Sequence, residues 1–414
     1  MRALLVACIF LFLGSSVSAE PPRTLKDCYE LALKRSEQIA IQQELIKETE
    51  AHFLQALSGA LPRASFSLSE KRQDGTTGGS SFTLKEVPER KFVFSQPLFS
   101  GFKEFAAMSG SRAQRRQRAH EKVRAEGLLL IDVSDAFYLL LQQREDLAAL
   151  ETIRTALVKR IDELNERERL GRSRPSEVAS AEAQLRRVEA EVERVQSLET
   201  TGRQLLEFLT GLERVEAVVE PDVGVPPLTA EADDVGKADA RPDVQAAQEQ
   251  WNAAKQQTRV EAGRLWPTVG LEGDYYTTRV GASAGVDWDV LLKVDVPIFQ
   301  GGQARGAVRE ASAKAREAEF AFERAQRAAA LDIRQSHART QSAIDRVIAL
   351  EKALAAAEDN YRLQMEDYRR SLVNNLEVLQ ALQALEDTRR EAIQARYEAK
   401  RQYWSLRVAT GAGL

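Results

Sequence analysis

The feature that most constrains this 414-residue sequence is the repetition of one unusual motif. QPLFSG begins at Gln96 and VPIFQGG begins at Val296, so Pro97 and Pro297 stand 200 residues apart in the same context. Such self-similarity indicates one structural unit that is built more than once. The sequence therefore predicts two similar halves rather than one irregular domain.

Other matches keep the same order along the chain. LPRASFSLS at Leu61 resembles WPTVGLEGD at Trp266, and SEQI at Ser36 resembles RPDV at Arg241, both with an offset of 205. After the repeated motif the offset is 200, and the matches are Glu177-Val178 with Glu377-Val378 and Thr210-Gly211 with Thr410-Gly411. Several matches in one order are hard to obtain by chance.

These matches predict the domain boundaries. Repeat 1 covers residues 20–217 and repeat 2 covers residues 241–414. The segment between them, 218–240, is rich in Pro, Asp and Gly, which is typical of a linker.

Residues 1–19 are typical of a secretory signal peptide. A basic Arg2 precedes an apolar run, and Val17-Ser18-Ala19 forms a small-residue cleavage site. A lipoprotein signal ending at Cys8 is the alternative, but that cysteine leaves too short an apolar core before it. After cleavage Cys28 stands alone, so no internal disulfide is expected.

The composition argues against several classes of function. A net charge of −4 gives no electrostatic case for nucleic acid binding. His52, His120 and His337 are scattered without metal-ligand spacing, and no nucleophile motif such as G-x-S-x-G occurs. We therefore expect no enzyme, with no catalytic residue, metal site or cofactor.

Both halves carry long helical patterns. Repeat 1 has no proline from Gly101 to Leu170, and a heptad-like apolar seam predicts coiled-coil packing there. The seam comprises Phe137, Leu140, Leu147, Leu150, Leu157, Ile161 and Leu164, and it resumes with Val178, Ala181, Leu185, Val188, Val192 and Val195. GRSRPS breaks the pattern in repeat 1, and RRSLVNN breaks it in repeat 2.

The helix lengths indicate a rod. A helix of about 70 residues is about 105 Å long at ~1.5 Å per residue. The helix predicted over 24–58 and the return helix over 176–210 could stack end to end along it. Each repeat is thus expected to form a long helical hairpin.

Between the two prolines of each repeat the apolar period changes to two. In repeat 2 the apolar set alternates with a largely charged one, and its members are Ala284, Val286, Trp288, Val290, Leu292, Val294 and Val296. Each repeat has room for two strands of about ten residues, the length of membrane-spanning strands. The pattern predicts a β-hairpin with one apolar face.

Six residues are predicted to make the changes between strand and helix. Proline is tolerated at a helix start because its φ is fixed, and glycine allows a sharp turn. The six are Pro62, Pro97, Gly101, Pro267, Pro297 and Gly301.

Two hairpins give four strands, which cannot close a barrel. Lipid tolerates no open sheet edge, so several chains must share one barrel. Two chains would give eight strands and a filled interior, whereas three would give twelve strands and an aqueous lumen.

The ordered set of motifs resembles the TolC-like outer membrane efflux protein family of Gram-negative bacteria. The resemblance covers nearly all of the mature chain, in both repeats. It is carried by TLKDCYELALKRSEQI, LPRASFSLS, QPLFSG, VSDAFYLLLQQREDLAAL, ERERLGRSRPSEVASAEAQL, LTG, RPDV, WPTV and VPIFQGG. The cysteine found at the mature N-terminus of many lipidated members is missing.

The resemblance implies a mixed α/β membrane protein. The expected assembly is a homotrimer with a twelve-stranded barrel in outer membrane lipid, four strands per chain, continued by a coiled-coil periplasmic tunnel. The implied function is the passive exit duct of a tripartite efflux or type I secretion system. Its implied partners are a periplasmic adaptor, or membrane fusion protein, and an inner-membrane transporter of the RND, ABC or MFS class.

The resemblance also suggests that the hairpin tips dock with the adaptor. The tip residues are Gly171, Arg172 and Ser173 in repeat 1 and Ser371, Leu372 and Val373 in repeat 2. The family's usual glycine is replaced by Ser371 in the second tip. An ordinary helix–helix turn is the alternative interpretation.

A gate is expected just after the second tip. Glu377 matches an acidic ring residue of the family, whereas Gln380 replaces a second acid. Pairing within the tip is open to Glu366, Asp367, Arg369 and Arg370. The alternative is that Glu377, like Glu177 in repeat 1, only stabilises a helix N-terminus.

Two other kinds of protein fit part of the pattern. A non-conducting coiled-coil structural protein of the cell envelope would need no alternating strands. A periplasmic adaptor has helical hairpins but would not need two hairpins of membrane-strand character. Single-channel conductance separates the duct from the structural protein.

Overall fold

The computed structural model describes residues 22–74, 84–220, 224–281 and 283–411. The predicted signal peptide, 1–19, lies outside the described residues, as does most of the polar loop between the first two strands. The helices and strands run in the order α1 (Leu25–Arg35), α2 (Glu37–Ser58), β1 (Arg63–Arg72), β2 (Glu86–Ser100), α3 (Lys103–Arg169), α4 (Pro175–Thr210), α5 (Glu231–Val235), a 3₁₀ turn (Ala238–Ala240), α6 (Pro242–Gly263), β3 (Thr268–Thr278), β4 (Trp288–Asp295), α7 (Gln303–Arg369) and α8 (Asn375–Ala409).

The long helices lie where the heptad seam predicts them. The helices α3 and α7 have 67 residues each, and each is followed by a return helix, α4 or α8. The helix predicted over 24–58 is in fact two helices that meet at Ser36. Ser36 has an extended backbone and its hydroxyl accepts the Ile39 N–H, so it caps α2 instead of continuing α1.

All four strands form one antiparallel sheet in the order β1-β2-β3-β4. The hairpins β1–β2 and β3–β4 are joined through β2 and β3, which pair over most of their length. The outer edges of β1 and β4 are unpaired among the described residues. Strand β4 begins four residues later than the alternation predicts, because Ala284 and Val286 donate to turn carbonyls instead of to a strand.

The sheet has one apolar face that no part of the described chain covers. The register places Phe66 opposite Phe92, with ring centroids 5.0 Å apart, and Tyr275 opposite Trp288. The apolar side chains on this face are between 39% and 65% exposed, and they are Phe66, Leu68, Phe92, Phe94, Leu271, Tyr275, Trp288, Val290, Leu292 and Val294. Mostly serine and charged side chains alternate with them on the other face, which also carries Val93 and Leu291.

The chain divides into two compact units, and each contains segments from both predicted repeats. The first unit comprises Met1–Arg35, Val133–Pro226 and Lys352–Tyr397, in so far as these are described. Its core contains most of the predicted heptad seam, with Leu150, Leu157 and Leu164 fully buried on α3. The seam residues Val188 and Val195 of α4 are buried in the same core.

The second unit comprises Ser36–Asp132, Pro227–Glu351 and Glu398–Leu414, again within the described residues. It contains the sheet and a buried arginine at the start of α6. Arg241 is 3% exposed and donates to Asp243 (3.0 and 2.7 Å), to Asp332 (2.8 Å) and to the Ala409 carbonyl (3.1 Å). One guanidinium thus ties α6 to α7 and to the end of α8.

Replacing this arginine should be costly. Arg241→Met removes the donor that Asp243, Asp332 and the buried Ala409 carbonyl share, and leaving a buried polar group unsatisfied costs about 1–3 kcal/mol. Arg264→Met is the control, because the Arg264 side chain is 55% exposed and its ion pair with Glu261 is worth about 1 kcal/mol or less. Thermal unfolding should therefore shift strongly for Arg241→Met alone, and equal shifts would contradict this role.

Candidate functional site

The first hairpin end joins α3 to α4 within the first unit. Gly171 has φ +67°, and its N–H donates to the Glu168 carbonyl (2.8 Å). The Arg172 N–H donates to the Arg167 carbonyl (2.8 Å). This pair of hydrogen bonds is a Schellman motif, which ends a helix through a left-handed residue. Pro175 then starts α4 at a position where no N–H is needed.

The second hairpin end joins α7 to α8 with the same geometry. The Ser371 N–H donates to the Tyr368 carbonyl (3.0 Å), and the Leu372 N–H donates to the Asp367 carbonyl (2.9 Å). Ser371 takes the left-handed position with φ +59°. A non-glycine residue costs roughly 1–2 kcal/mol in this conformation. The second tip is therefore strained where the first is not.

Exchanging these two residues should move stability in opposite directions. Ser371→Gly relieves the strain, and the added freedom of the unfolded chain offsets part of the gain, which leaves about 0.5–1 kcal/mol. Gly171→Ser should lose a similar amount, because a Cβ there meets nothing within 4 Å and only the backbone changes. Thermal unfolding of both variants measures this, and a shift of the same sign in both would contradict it.

Both tips expose leucine and arginine side chains. Leu170, Leu372 and Leu376 are 65%, 68% and 57% exposed. Arg172 and Arg370 are exposed and make no ion pair with any described residue. The two turns therefore present an apolar and basic surface.

The two carboxylates that follow the tips differ in their surroundings. Each is the third residue of its helix, where an acid interacts favourably with the helix dipole. Glu177 is half-buried and accepts a hydrogen bond from the Ser173 hydroxyl (2.6 Å). Glu377 is exposed, and among the described residues none pairs with its carboxylate, since Val373 stands where Ser173 would donate.

The other predicted gate residues are not brought together as pairs. Glu366 lies 3.6 Å from Arg362, one turn earlier on α7, rather than near Arg369 or Arg370. The backbone carbonyl of Asp367 accepts a hydrogen bond from the Leu372 N–H and so helps to form the second turn. Gln380 is exposed on α8, one turn after Glu377.

A buried arginine that the sequence does not reveal lies beside these tips. The Arg160 side chain is 7% exposed and donates to Asn375 Oδ1 at 3.0 and 2.8 Å. Its guanidinium lies 3.8 Å from the centre of the Tyr368 ring. Asn375 also donates to the Glu177 carbonyl (3.4 Å), so this cluster links all four helices of the two tips. No local pattern reveals it, because Arg160 adjoins the apolar seam like any flanking charge.

In the second unit, most of the predicted prolines lie between strand and helix. Pro62 and Pro267 precede β1 and β3, and Pro297 lies between β4 and α7. Pro97 instead lies inside β2, three residues before its end, which corrects the prediction for that residue. It is tolerated there because β1 pairs with β2 only as far as Ser95 and the register with β3 shifts after Pro97.

The glycine of each repeated motif turns the chain from strand to helix. Gly101 and Gly301 have φ +68° and +59°. A Cβ at Gly101 would lie 2.3 Å from the Gly263 carbonyl oxygen, whereas one at Gly301 meets nothing within 4 Å. Only the first position is thus closed to every other residue by packing as well as by its backbone.

Two features are absent from the described part of the chain. No helix in it is long and apolar enough to cross a membrane. No group of three or more His, Cys, Asp or Glu side chains in it could hold a metal ion.

Comparison with protein families and curated proteins identifies relatives of this chain. The family described as outer membrane efflux protein matches residues 238–412. The cation efflux system protein CusC of Escherichia coli strain K12 is 25% identical over 179 residues, which are 42% of this chain and 39% of that protein. The chain thus spans about two fifths of the length of the curated relatives it matches.

Solved structures resemble almost the whole chain. A crystal structure of CusC has a TM-score of 0.84 and 17% identity, covering 94% of this chain and 92% of that one. The outer membrane protein VceC of Vibrio cholerae has a TM-score of 0.82 and 21% identity, covering 94% and 96%. The MtrE outer membrane channel of Neisseria gonorrhoeae has a TM-score of 0.77 and 18% identity, covering 94% and 89%. The predicted resemblance to outer membrane efflux proteins is confirmed.

Proposed function

We propose that this chain, a relative of the outer membrane efflux proteins, is the passive exit duct of a tripartite efflux or type I secretion system. Three copies share one twelve-stranded barrel in outer membrane lipid, and their helices continue it as a periplasmic tunnel. A periplasmic adaptor connects the tunnel to an inner-membrane transporter of the RND, ABC or MFS class, which selects the cargo.

The uncovered apolar face of the sheet is the observation that carries this proposal. Ten apolar side chains on four strands are exposed together, whereas monomeric soluble proteins rarely expose so large a contiguous patch. Lipid is the environment in which these side chains are not exposed to water. The polar face, with Lys91, Asp274 and Asp289, then lines a water-filled lumen.

The unpaired edges support sharing of the barrel between copies. Unpaired backbone groups cannot face lipid, so β1 of one copy must pair with β4 of the next. Three copies give twelve strands and leave an aqueous lumen, whereas two copies would give eight strands and a filled interior.

Neighbouring leucines on β4 test the lipid-facing side. Leu292 is on the apolar face and Leu291 on the opposite one. Leu292→Arg should cost about 2–4 kcal/mol if it lies at mid-membrane, whereas Leu291→Arg should be tolerated because it faces water. Folding yield into outer membranes and heat stability of the extracted oligomer measure the difference. Equal tolerance of both substitutions would contradict the assignment of faces.

Conductance tests the duct itself. Purified oligomer in planar bilayers should open stable single channels. A coiled-coil structural protein of the envelope would give none, and repeated absence of channels from correctly assembled oligomer would overturn the proposed function.

The exposed carboxylate after the second tip is proposed as part of a gate. If the α7–α8 tips of three copies converge on the axis, three Glu377 carboxylates come close together. Like charges at short range attract cations, including multivalent ones that block a pore. Glu177 is the matched control, because its carboxylate is half-buried and already held by Ser173.

Glu377→Gln should therefore lower cation selectivity and relieve block by multivalent cations. Glu177→Gln should change little in the same planar bilayer recordings. If both substitutions act equally, or neither acts, only the helix N-terminus interpretation is left for Glu377.

The apolar and basic tips are proposed to dock with the adaptor. Helix ends leave backbone groups available to a partner, and the exposed leucines add apolar area. Photo-crosslinkers in place of Arg172 or Leu372 should capture the adaptor in cells. Crosslinks confined to the duct would count against docking at these tips.

A further inference from the structure

A polar pocket of about 490 Å³ lies between α3, α4 and α8 in the first unit. Four carboxylates and two guanidinium groups line it, which gives a formal charge of −2. The carboxylates belong to Asp146, Glu191, Asp387 and Glu391. Its volume is in the range of small-molecule sites, about 300–1,000 Å³.

The inner charges of this pocket are already paired. Arg390 donates to both oxygens of Asp146 (2.8 and 3.1 Å) and to Glu191 (2.5 Å). The hydrogen bond from Arg194, followed by that from Arg390, lowers the pKa of Glu191 to about 2, so this carboxylate is charged at neutral pH. These groups form a fixed, charged wall rather than free ligands.

Two carboxylates at the rim have no such partner. Asp387 and Glu391 are exposed, and no described residue forms an ion pair with either. They are four residues apart on α8, so they lie on one helix face with about 5–6 Å between their Cβ atoms. The uncompensated charge of the pocket is therefore on these two residues.

A mostly buried glutamine lines the same pocket, and its amide has no hydrogen-bond partner among the described residues. Gln143 is 4% exposed, yet its side chain makes no hydrogen bond with any described residue. Its amide atoms are not fully enclosed by protein, so the amide opens into the pocket, where a bound ligand can pair with it. Its carbonyl oxygen can accept a hydrogen bond from a bound cation.

We propose that this pocket binds a small organic cation with two or more ammonium groups, of the polyamine class. Asp387 and Glu391 each bind one ammonium group, and the Gln143 carbonyl accepts from an ammonium deeper in the pocket. Leu198 and Ile393 supply apolar surface for the methylene chain. This site is independent of the proposed conduction, because α3, α4 and α8 of a single chain form the pocket.

Isothermal titration of the full-length protein in detergent with spermidine tests the proposal. Wild type should bind saturably, and magnesium at equal ionic strength should not compete. Asp387→Asn with Glu391→Gln should weaken binding about tenfold, which corresponds to about 1.4 kcal/mol, because both ion pairs with the ligand are lost. Gln143→Met, which keeps the side-chain length, should weaken it severalfold.

A charge-matched control separates the pocket from general attraction. Glu182 and Glu193 are exposed on α4 outside the pocket, and Glu182→Gln with Glu193→Gln removes the same charge. This control should bind spermidine as wild type does. Equal weakening in both double variants, unchanged binding when the rim is neutralised, or no saturable binding to wild type would each overturn the proposal.

Discussion

Four antiparallel strands with one continuous apolar face need a covering that the described chain does not provide. Burial of apolar area is worth about 25 cal/mol per Å², and here ten large side chains forgo most of that gain. The two outer strands add rows of unpaired backbone groups. Lipid on one side and further copies at the edges satisfy both needs at once, and the proposed assembly follows from them.

The long helices, in contrast to the sheet, bury their apolar residues within the protein. In the first unit most of the apolar seam residues of α3 and α4 turn inward and are buried, so protein covers them instead of lipid. Polar contacts then fix how the helices meet, as Arg160 does beside the tips. Arg390, which contacts α3 and α4 from α8, does the same farther along these helices. A buried pair of this kind is demanding to form and costly to break.

Much of the helical fold could be predicted because periodicity is a strong signal. The helix predicted over 101–170 is observed as Lys103–Arg169. The errors occur where one side chain decides the backbone. Ser36 ends one helix by capping the next, and Pro97 is accommodated inside β2 because its strand neighbour has already ended.

The candidate gate is also only partly predictable from the sequence. The sequence predicts that Glu177 and Glu377 occupy equivalent places, and the structure puts both in the first turn of a helix. The surroundings of the two carboxylates differ because Ser173 has a hydroxyl that reaches Glu177, whereas Val373 has none to offer Glu377. No periodic pattern encodes such a contact across the turn. Arg160 is another such case, since its partner Asn375 is 215 residues away.

Disulfide crosslinking between sheet edges is the decisive test of whether β1 of one copy pairs with β4 of the next. One cysteine replaces a β1 residue such as Ser67 and another replaces successive β4 positions from 288 to 295, while the native Cys28 is fully buried. If three copies share one barrel, one pair of cysteine positions should crosslink neighbouring chains. A denaturing gel should then show a ladder of crosslinked species that stops at three chains. A ladder that stops at two, runs beyond three, or never leaves one chain in any register would contradict the shared barrel.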